Sequence, residues 1–352
     1  MGRVVLVTGV SRYLGGRFAR LLQSDPGIDR VIGVDVVPPS LDLGRTEFVR
    51  ADIRNPIIAK VIGQADVDTV VHMSVIATPL TVGGRVSMKE INVIGTMQLL
   101  AACQKAASVR KLVVKSSSVV YGSSPRDPAM FTEETEPRRL PRSGWAKDSV
   151  EVEGYVRGYS RRRPDVAVSL LRFANFLGPQ IQTSLTAYFS LPMIPTVLGF
   201  DARLQFVHED DGLEVLRKAT VGHFPGTFNV AGDGVLMLSQ AIRRLGRPAL
   251  PVTPLVAPLV RPVVRRAGQV DFSAEQMRYL AHGRVMETTR MREQLGYTPA
   301  YTTSGAFQAF IDSRGLLGLP ATAVAAAEHG LLQVAGLVSR ARVMDRGRSR
   351  VG

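Results

Sequence analysis

An α/β fold, a doubly wound parallel sheet carrying a smaller C-terminal lobe, is the fold class that this sequence predicts. Three observations predict it. Short β-branched and leucine-rich runs alternate with helical patterns through the first 175 residues, the order of a parallel sheet with helices on both faces. The chain opens on a strand, a glycine-containing turn and a helix in immediate succession. Its 352 residues also suffice for a large core and two lobes. The expected division is residues 1–175 for the sheet, completed by later segments, 176–312 for a mixed lobe, and 313–352 for an apolar helix and basic tail.

The first run, RVVLVT at 3–8, has the pattern of a buried parallel strand. It leads into Gly9-Val10-Ser11-Arg12-Tyr13-Leu14-Gly15-Gly16, after which Phe18, Leu21 and Leu22 recur at helical spacing. In this context a dinucleotide pyrophosphate rests on the amides and positive dipole of a helix start. The candidate cofactor residues of the turn are Gly9, Arg12, Tyr13, Leu14 and Gly15. A second run, 30–34, ends at Asp35, the place for an acid that accepts hydrogen bonds from ribose hydroxyls and repels a 2′-phosphate. That acid favours NAD over its phosphorylated form. Glycines also mark ordinary tight turns, so the flanking strand, helix and Asp35 carry this reading.

Later runs follow in order: FVRADI at 48–53, DTVVHMS at 68–74, NVIGT at 92–96 on a helix, and KLVVKSSSVVYG at 111–122. LRFANFLGP at 171–179, FVHEDD at 206–211 and LGYTP at 295–299 complete the series. Together they resemble the extended branch of the short-chain dehydrogenase/reductase family, the branch of UDP-glucose 4-epimerase-like sugar-nucleotide epimerases and dehydratases. About residues 3–312 are covered. The resemblance implies a Rossmann sheet, NAD as cofactor and a nucleotide-linked sugar as substrate. It places Asp52 and Ile53 against adenine, and His72 and Asn92 beside the dinucleotide. Ser117, four residues before Tyr121, matches the catalytic serine. Lys147 matches the lysine that holds the nicotinamide ribose and eases ionisation of the base. Asn175 matches an asparagine that contacts the nucleotide diphosphate. The arginine for the second phosphate should lie four residues before His208, where this chain has Leu204. Arg203 is one step away, and one step along a strand turns a side chain to the other face.

Two departures bear on chemistry. Arg12 falls on the family's middle glycine, where a Cβ costs room near the pyrophosphate. Its guanidinium can offset that by pairing with a phosphate. A displaced, weakly held or phosphorylated cofactor stays open as an alternative, although Asp35 opposes the last. More serious, the family's Tyr-x-x-x-Lys reads Ser143-Gly144-Trp145-Ala146-Lys147. An aliphatic alcohol is too weak an acid to serve as the base near neutrality. Tyr155 and Tyr159 lie 8 and 12 residues beyond Lys147, roughly 12 and 18 Å along a helix axis, and cannot reach. Tyr121, ordinarily structural, and His72 remain as replacement candidates. Trp145 stands where the motif has a small residue, with bulk for the space of a sugar ring. Two classes of function follow: an oxidoreductase or epimerase with an altered proton relay, and a lapsed NAD-binding sensor or scaffold acting through partners.

Composition narrows the partners. The chain holds 44 basic and 30 acidic residues, a net charge of +14, with arginine clusters at 161–163, 243–244 and 265–266 and in the tail. Solvated surface charge accounts for such clusters, and attraction to anionic sugar nucleotides or an acidic membrane surface are the sharper readings. No aromatics interleave with the arginines, which disfavours nucleic acid. The single Cys103 excludes a disulfide framework and a cysteine metal site, and no metal is expected. With neither a secretory leader nor an uncharged apolar stretch of spanning length, the expectation is a cytoplasmic protein. Peripheral membrane contact through the tail and a homodimer stay open. The proline-rich stretch 247–266 reads as a substrate-covering loop or a membrane-touching one, and 321–338 as a packed or surface-lying apolar helix.

Overall fold

The computed structural model describes residues 2–74, 84–137, 140–141, 144–253 and 274–316, with 318, 320, 322–324, 326–327 and 330 beyond them. Ser143, most of the proline-rich stretch and the arginine tail lie outside the described residues. Strands β1 (Arg3–Thr8), β2 (Ile28–Asp35), β3 (Glu47–Arg50), β4 (Thr69–His72), β5 (Lys111–Ser117) and β6 (Ala167–Phe173) form one parallel sheet. A late strand, Gly226–Val230, pairs with β6 and closes it. In space the order is Gly226–Val230, β6, β5, β4, β1, β2, β3, so the winding reverses between β1 and β4. Ligands of such sheets bind outside the strand C-termini at that reversal. The predicted doubly wound α/β fold is the observed one.

Strands β4 and β6 are buried along their whole length, which is why they read as continuous apolar runs. Alternate residues feed two cores. Val5, Val7, Val113 and Leu171 pack with Phe18 and Leu22 of helix α1 (Tyr13–Leu22) on one face. Leu6, Val70, Leu112 and Leu170 pack on the other, with residues from helices α2 (Ile57–Gln64), α4 (Thr96–Lys105) and α5 (Gly144–Arg162). Between α2 and α4 lies the short α3 (Arg85–Lys89), joined to α4 through a wide π-helical stretch, Glu90–Gly95. A third core fills the C-terminal side, where Phe189 meets Phe307 edge-on at 5.0 Å and Phe206 stacks near it. Helix α6 (Ser184–Phe189) starts at a reciprocal cap: Thr186 N donates to Thr183 Oγ1 at 3.1 Å and Thr183 N to Thr186 Oγ1 at 2.8 Å. Among the described residues no helix is long and apolar enough to cross a membrane.

One buried polar network joins β5, β6 and α5. Arg172 donates to Glu153 at 2.7 and 3.0 Å, and Ser116 Oγ donates to the same carboxylate at 2.6 Å. A second fork of Arg172 reaches the Tyr121 hydroxyl at 2.9 Å and the Glu133 carbonyl at 3.0 Å. Tyr121 in turn donates to Asn229 Oδ1 at 2.7 Å, and its ring stacks on Phe131. Burial pushes the Tyr121 phenol up to about 12, although Arg172 pulls the other way. The Tyr121 hydroxyl is thus engaged from both sides, by Arg172 and by Asn229, as the structural reading of it expects. The pair Arg172–Glu153 is 10% and 2% exposed at its side chains, so neither charge has water to fall back on. Removing one partner of such a pair costs about 3–5 kcal/mol, and replacing both by apolar residues costs far less. Glu153→Ala should lower the urea midpoint accordingly, and Glu153→Met with Arg172→Met should recover most of the loss. Additive losses in the double variant would show that the two charges are not coupled.

Candidate active site

The turn between β1 and α1 is built by close approach. Gly9 takes a φ of +82°, open to glycine, and its amide donates to Val34 at 2.9 Å. A Cβ on Gly15 would lie 2.1 Å from the Gly9 carbonyl oxygen, so only glycine lets α1 sit against the strand end. Arg12, by contrast, caps α1 at φ −91°, ψ 150°, ordinary extended backbone for any residue. Losing the middle glycine thus strains nothing in the chain; what it adds is a guanidinium. Burial lowers the Arg12 pKa from its ordinary value and Asp35 partly restores it. Asp35 braces the same turn, accepting from Ser11 N at 3.1 Å and Val36 N at 2.8 Å.

Two adjoining cavities meet at Gly9 and Arg12. The outer, about 390 Å³, runs over Asp35, the following residues 36–38, Ala51, Asp52, Ile53 and Ile91. The inner, about 240 Å³, runs past Tyr13, Leu14 and Gly15 to Lys115, Ser117, Trp145, Asn175 and the loop 181–185. The outer cavity alone reaches the ligand-pocket range of about 300–1,000 Å³, and the pair forms one long cleft at the strand C-termini.

The structure distributes the anticipated residues unevenly. Gly9, Arg12, Tyr13, Leu14, Gly15, Ser117 and Asn175 share the inner cavity, and Asp35, Asp52 and Ile53 the outer one. Asp52 is clasped by Arg54 at 2.6 Å, which lowers its pKa, so its carboxylate is already engaged. Tyr13 lines the cleft, but its hydroxyl donates to Glu209 at 2.8 Å. Asn92, on the π-helical stretch, is buried with its amide 3.4 Å from Asp148. His72 is buried beneath the site, Nδ1 at 2.9 Å from Thr8 Oγ1 and Nε2 at 2.8 Å from Thr96 Oγ1. Both ring nitrogens are spent in the core, which leaves none to act as a base. Lys147 is exposed and reaches toward Glu151 at 3.7 Å rather than lining either cavity. Arg203 lines a separate cavity with Asp127 and Arg284, apart from Asn175. Tyr155 is exposed and Tyr159 buried in the core.

Lys115 escaped the sequence reading. It was visible as the one charge inside an otherwise apolar strand, KLVVKSS, whose remaining residues are apolar or small apart from the leading lysine. In the structure it lines the inner cavity beside Arg12, and burial together with Arg12 pushes its ammonium down to about 8.

A strand, a glycine turn, a helix and an acid closing β2, with a serine closing β5 over the same cleft, define a dinucleotide-binding protein of the extended short-chain dehydrogenase class. Within that class the chain belongs to the NAD dependent epimerase/dehydratase family, whose model matches residues 5–230. The chain is 53% identical over 319 residues to an uncharacterised protein of Mycobacterium tuberculosis, 89% of this chain and 85% of that one. It is 28% identical over 320 residues to UDP-glucose 4-epimerase of Mycolicibacterium smegmatis, covering 84% and 93%. UDP-glucose 4-epimerase of Thermotoga maritima, solved with UDP-glucose, shares the fold at TM-score 0.68 and 16% identity over 89% of this chain and 98% of that one. So does UDP-glucuronic acid 4-epimerase of Bacillus cereus, solved with UDP-glucuronic acid and NAD, at TM-score 0.68 and 21% identity over 89% and 100%.

The buried His72 makes stability fall in mild acid. Burial and Lys115 hold its folded pKa at about 4, against 6.5 ordinarily. Above pH 6.5 neither state binds the proton. As pH falls from there toward about 4, the unfolded chain takes a proton that the folded one refuses, and stability drains by up to about 3 kcal/mol. His72→Gln should flatten the pH dependence of the urea midpoint in that window. An unchanged slope would show that His72 takes up its proton equally in the folded and unfolded chains.

Proposed function

We propose that this protein is an NAD-dependent oxidoreductase of epimerase or dehydratase type acting on a nucleotide-linked sugar, with a proton relay unlike the family's. The observation that carries the reading is the continuous cleft. One end holds an acid braced for ribose hydroxyls, and the other holds Ser117 and Asn175. Between them the glycine turn, with Gly9 and Arg12, lines both cavities, where a pyrophosphate would rest. Bound NAD supplies a reversible acceptor for hydrogen leaving a sugar carbon.

The chain's own residues divide the remaining work. Asp35 accepts from the adenosine ribose, the turn amides and Arg12 meet the phosphates, and Ser117 hydrogen-bonds the reacting hydroxyl. Asn175 and the polar residues Gln182, Thr183 and Ser184 face the nucleotide diphosphate, and Trp145 walls the sugar end. The M. smegmatis relative is named for UDP-glucose, which supports a sugar nucleotide as substrate. A second reading, NAD held as a structural or sensing element, draws on Lys147 turning to Glu151 and on Ser143 standing where the family has tyrosine.

Asp35→Ala should weaken NAD by about 1.5–3 kcal/mol, roughly ten- to a hundredfold, and narrow the gap to NADP. Calorimetry giving tight NADP and no NAD binding to the unaltered protein would sink the assignment. Ser117→Ala should leave NAD affinity unchanged and slow interconversion of UDP-glucose about a hundredfold. Purified protein that carries NAD but converts neither UDP-glucose nor UDP-glucuronic acid would favour the second reading.

A further inference from the structure

We propose that Lys115 is the acid–base group of the cleft, its amine taking the proton of the sugar hydroxyl and giving it back. This rests on the oxidoreductase reading above. Lys115 and Ser117 are two residues apart on β5, so both side chains leave the strand on one face, while Ser116 between them turns to Glu153. Lysine, serine and Arg12 all line the inner cavity.

Among the described residues the other titratable groups nearby are accounted for. Tyr13 gives its hydroxyl to Glu209, and Arg12 cannot be deprotonated. From β4, His72 is held by Thr8 and Thr96; from β6, Leu171 sits beside Lys115 and Arg172 is paired with Glu153. Helix α5 presents Trp145 to the cavity, and Lys147 reaches toward Glu151. Among the described lining residues no carboxylate faces the ammonium, and no described ion pair holds it. Burial and the Arg12 charge both favour the neutral amine, which brings its pKa down to about 8, where a base can work near neutrality. On this account the two departures from the family pattern are one change. Arg12, in place of a glycine, supplies the positive charge that makes a lysine serve where the phenol is missing.

The step balances without further reagents. The O–H proton passes to the lone pair on Nζ, and the oxygen forms a C=O bond as the C–H hydrogen leaves with its electron pair to bound NAD. Return of that pair to the carbon takes the proton back from the ammonium.

Acetic anhydride labelling of the full-length protein, read at Lys115 by mass spectrometry across pH, tests the amine directly. The expected midpoint is about 8, rising in Arg12→Gln, with labelling suppressed by NAD. A midpoint near 10.4, the ordinary lysine value, or one unmoved in Arg12→Gln, would overturn the proposal. In a second arm, Lys115→Met and Lys115→Arg should bind NAD within a fewfold of the unaltered protein and convert UDP-glucose or UDP-glucuronic acid at least a hundredfold more slowly. Conversion at an undiminished rate in either variant would remove Lys115 from the chemistry and leave the oxidoreductase reading standing. If the unaltered protein converts neither sugar nucleotide, that reading fails instead, and the labelling midpoint alone decides whether Lys115 is the titrating amine.

Discussion

A carbon on Gly15 would press to 2.1 Å from the Gly9 carbonyl oxygen, so α1 can lie where it does only because a hydrogen faces that oxygen. From this approach the rest of the nucleotide side follows. It brings the first turn of α1 over the C-termini of β1 and β4, where the winding of the sheet reverses. It aims the turn's amides and the helix dipole into the cleft. Asp35 then fixes the turn from the β2 side through Ser11 N. A sheet built from the same strands without that contact would have the same cores and no place for a dinucleotide.

The electrostatics of the cleft differ from end to end. At the outer end a carboxylate is positioned by two backbone amides. At the inner end two cations, Arg12 and Lys115, face a cavity whose described lining contains no acid. Like charges so placed disfavour each other, and one relieves the strain by giving up its proton more readily. The proton of Lys115 is thus held loosely, at the end of the cleft that Ser117 also lines.

Much of this was readable from the chain because the signals are local. Strands β4, β5 and β6 are nearly all interior, so they appear as largely apolar runs, with Ser117 closing β5 and Asn175 just past the end of β6. Gly9, Gly15 and Asp35 declared themselves by spacing. The rest depends on which way a side chain points and on what lies far along the chain. Helical spacing sets Lys147 beside Glu151 on α5 but does not say that its long side chain reaches there rather than into the cleft. Tyr13 sits in the fingerprint, yet its hydroxyl partner is Glu209, 196 residues on. The phenol of Tyr121 could be known as a strut only once β6 carried Arg172 across to it. Helical pattern at 92–96 gave no sign of the π-helical widening that buries Asn92 against Asp148. Lys115 looked like an accident of composition until the strand was seen to end in the cleft.

Glu209 is the fully interior carboxylate in which the two sides of the cleft meet. One of its oxygens takes the Tyr13 hydroxyl and, at 3.1 Å, Arg17, both from α1. The other takes the amide of Ile181, the residue that begins the loop walling the inner cavity, at 2.9 Å. A Cβ at Gly178 would strike this side chain at 2.6 Å, so the chain crosses directly over it. A single side chain thus acts as a rivet between the nucleotide wall and the substrate wall. Cutting that one side chain back would therefore free both walls of the cleft at once.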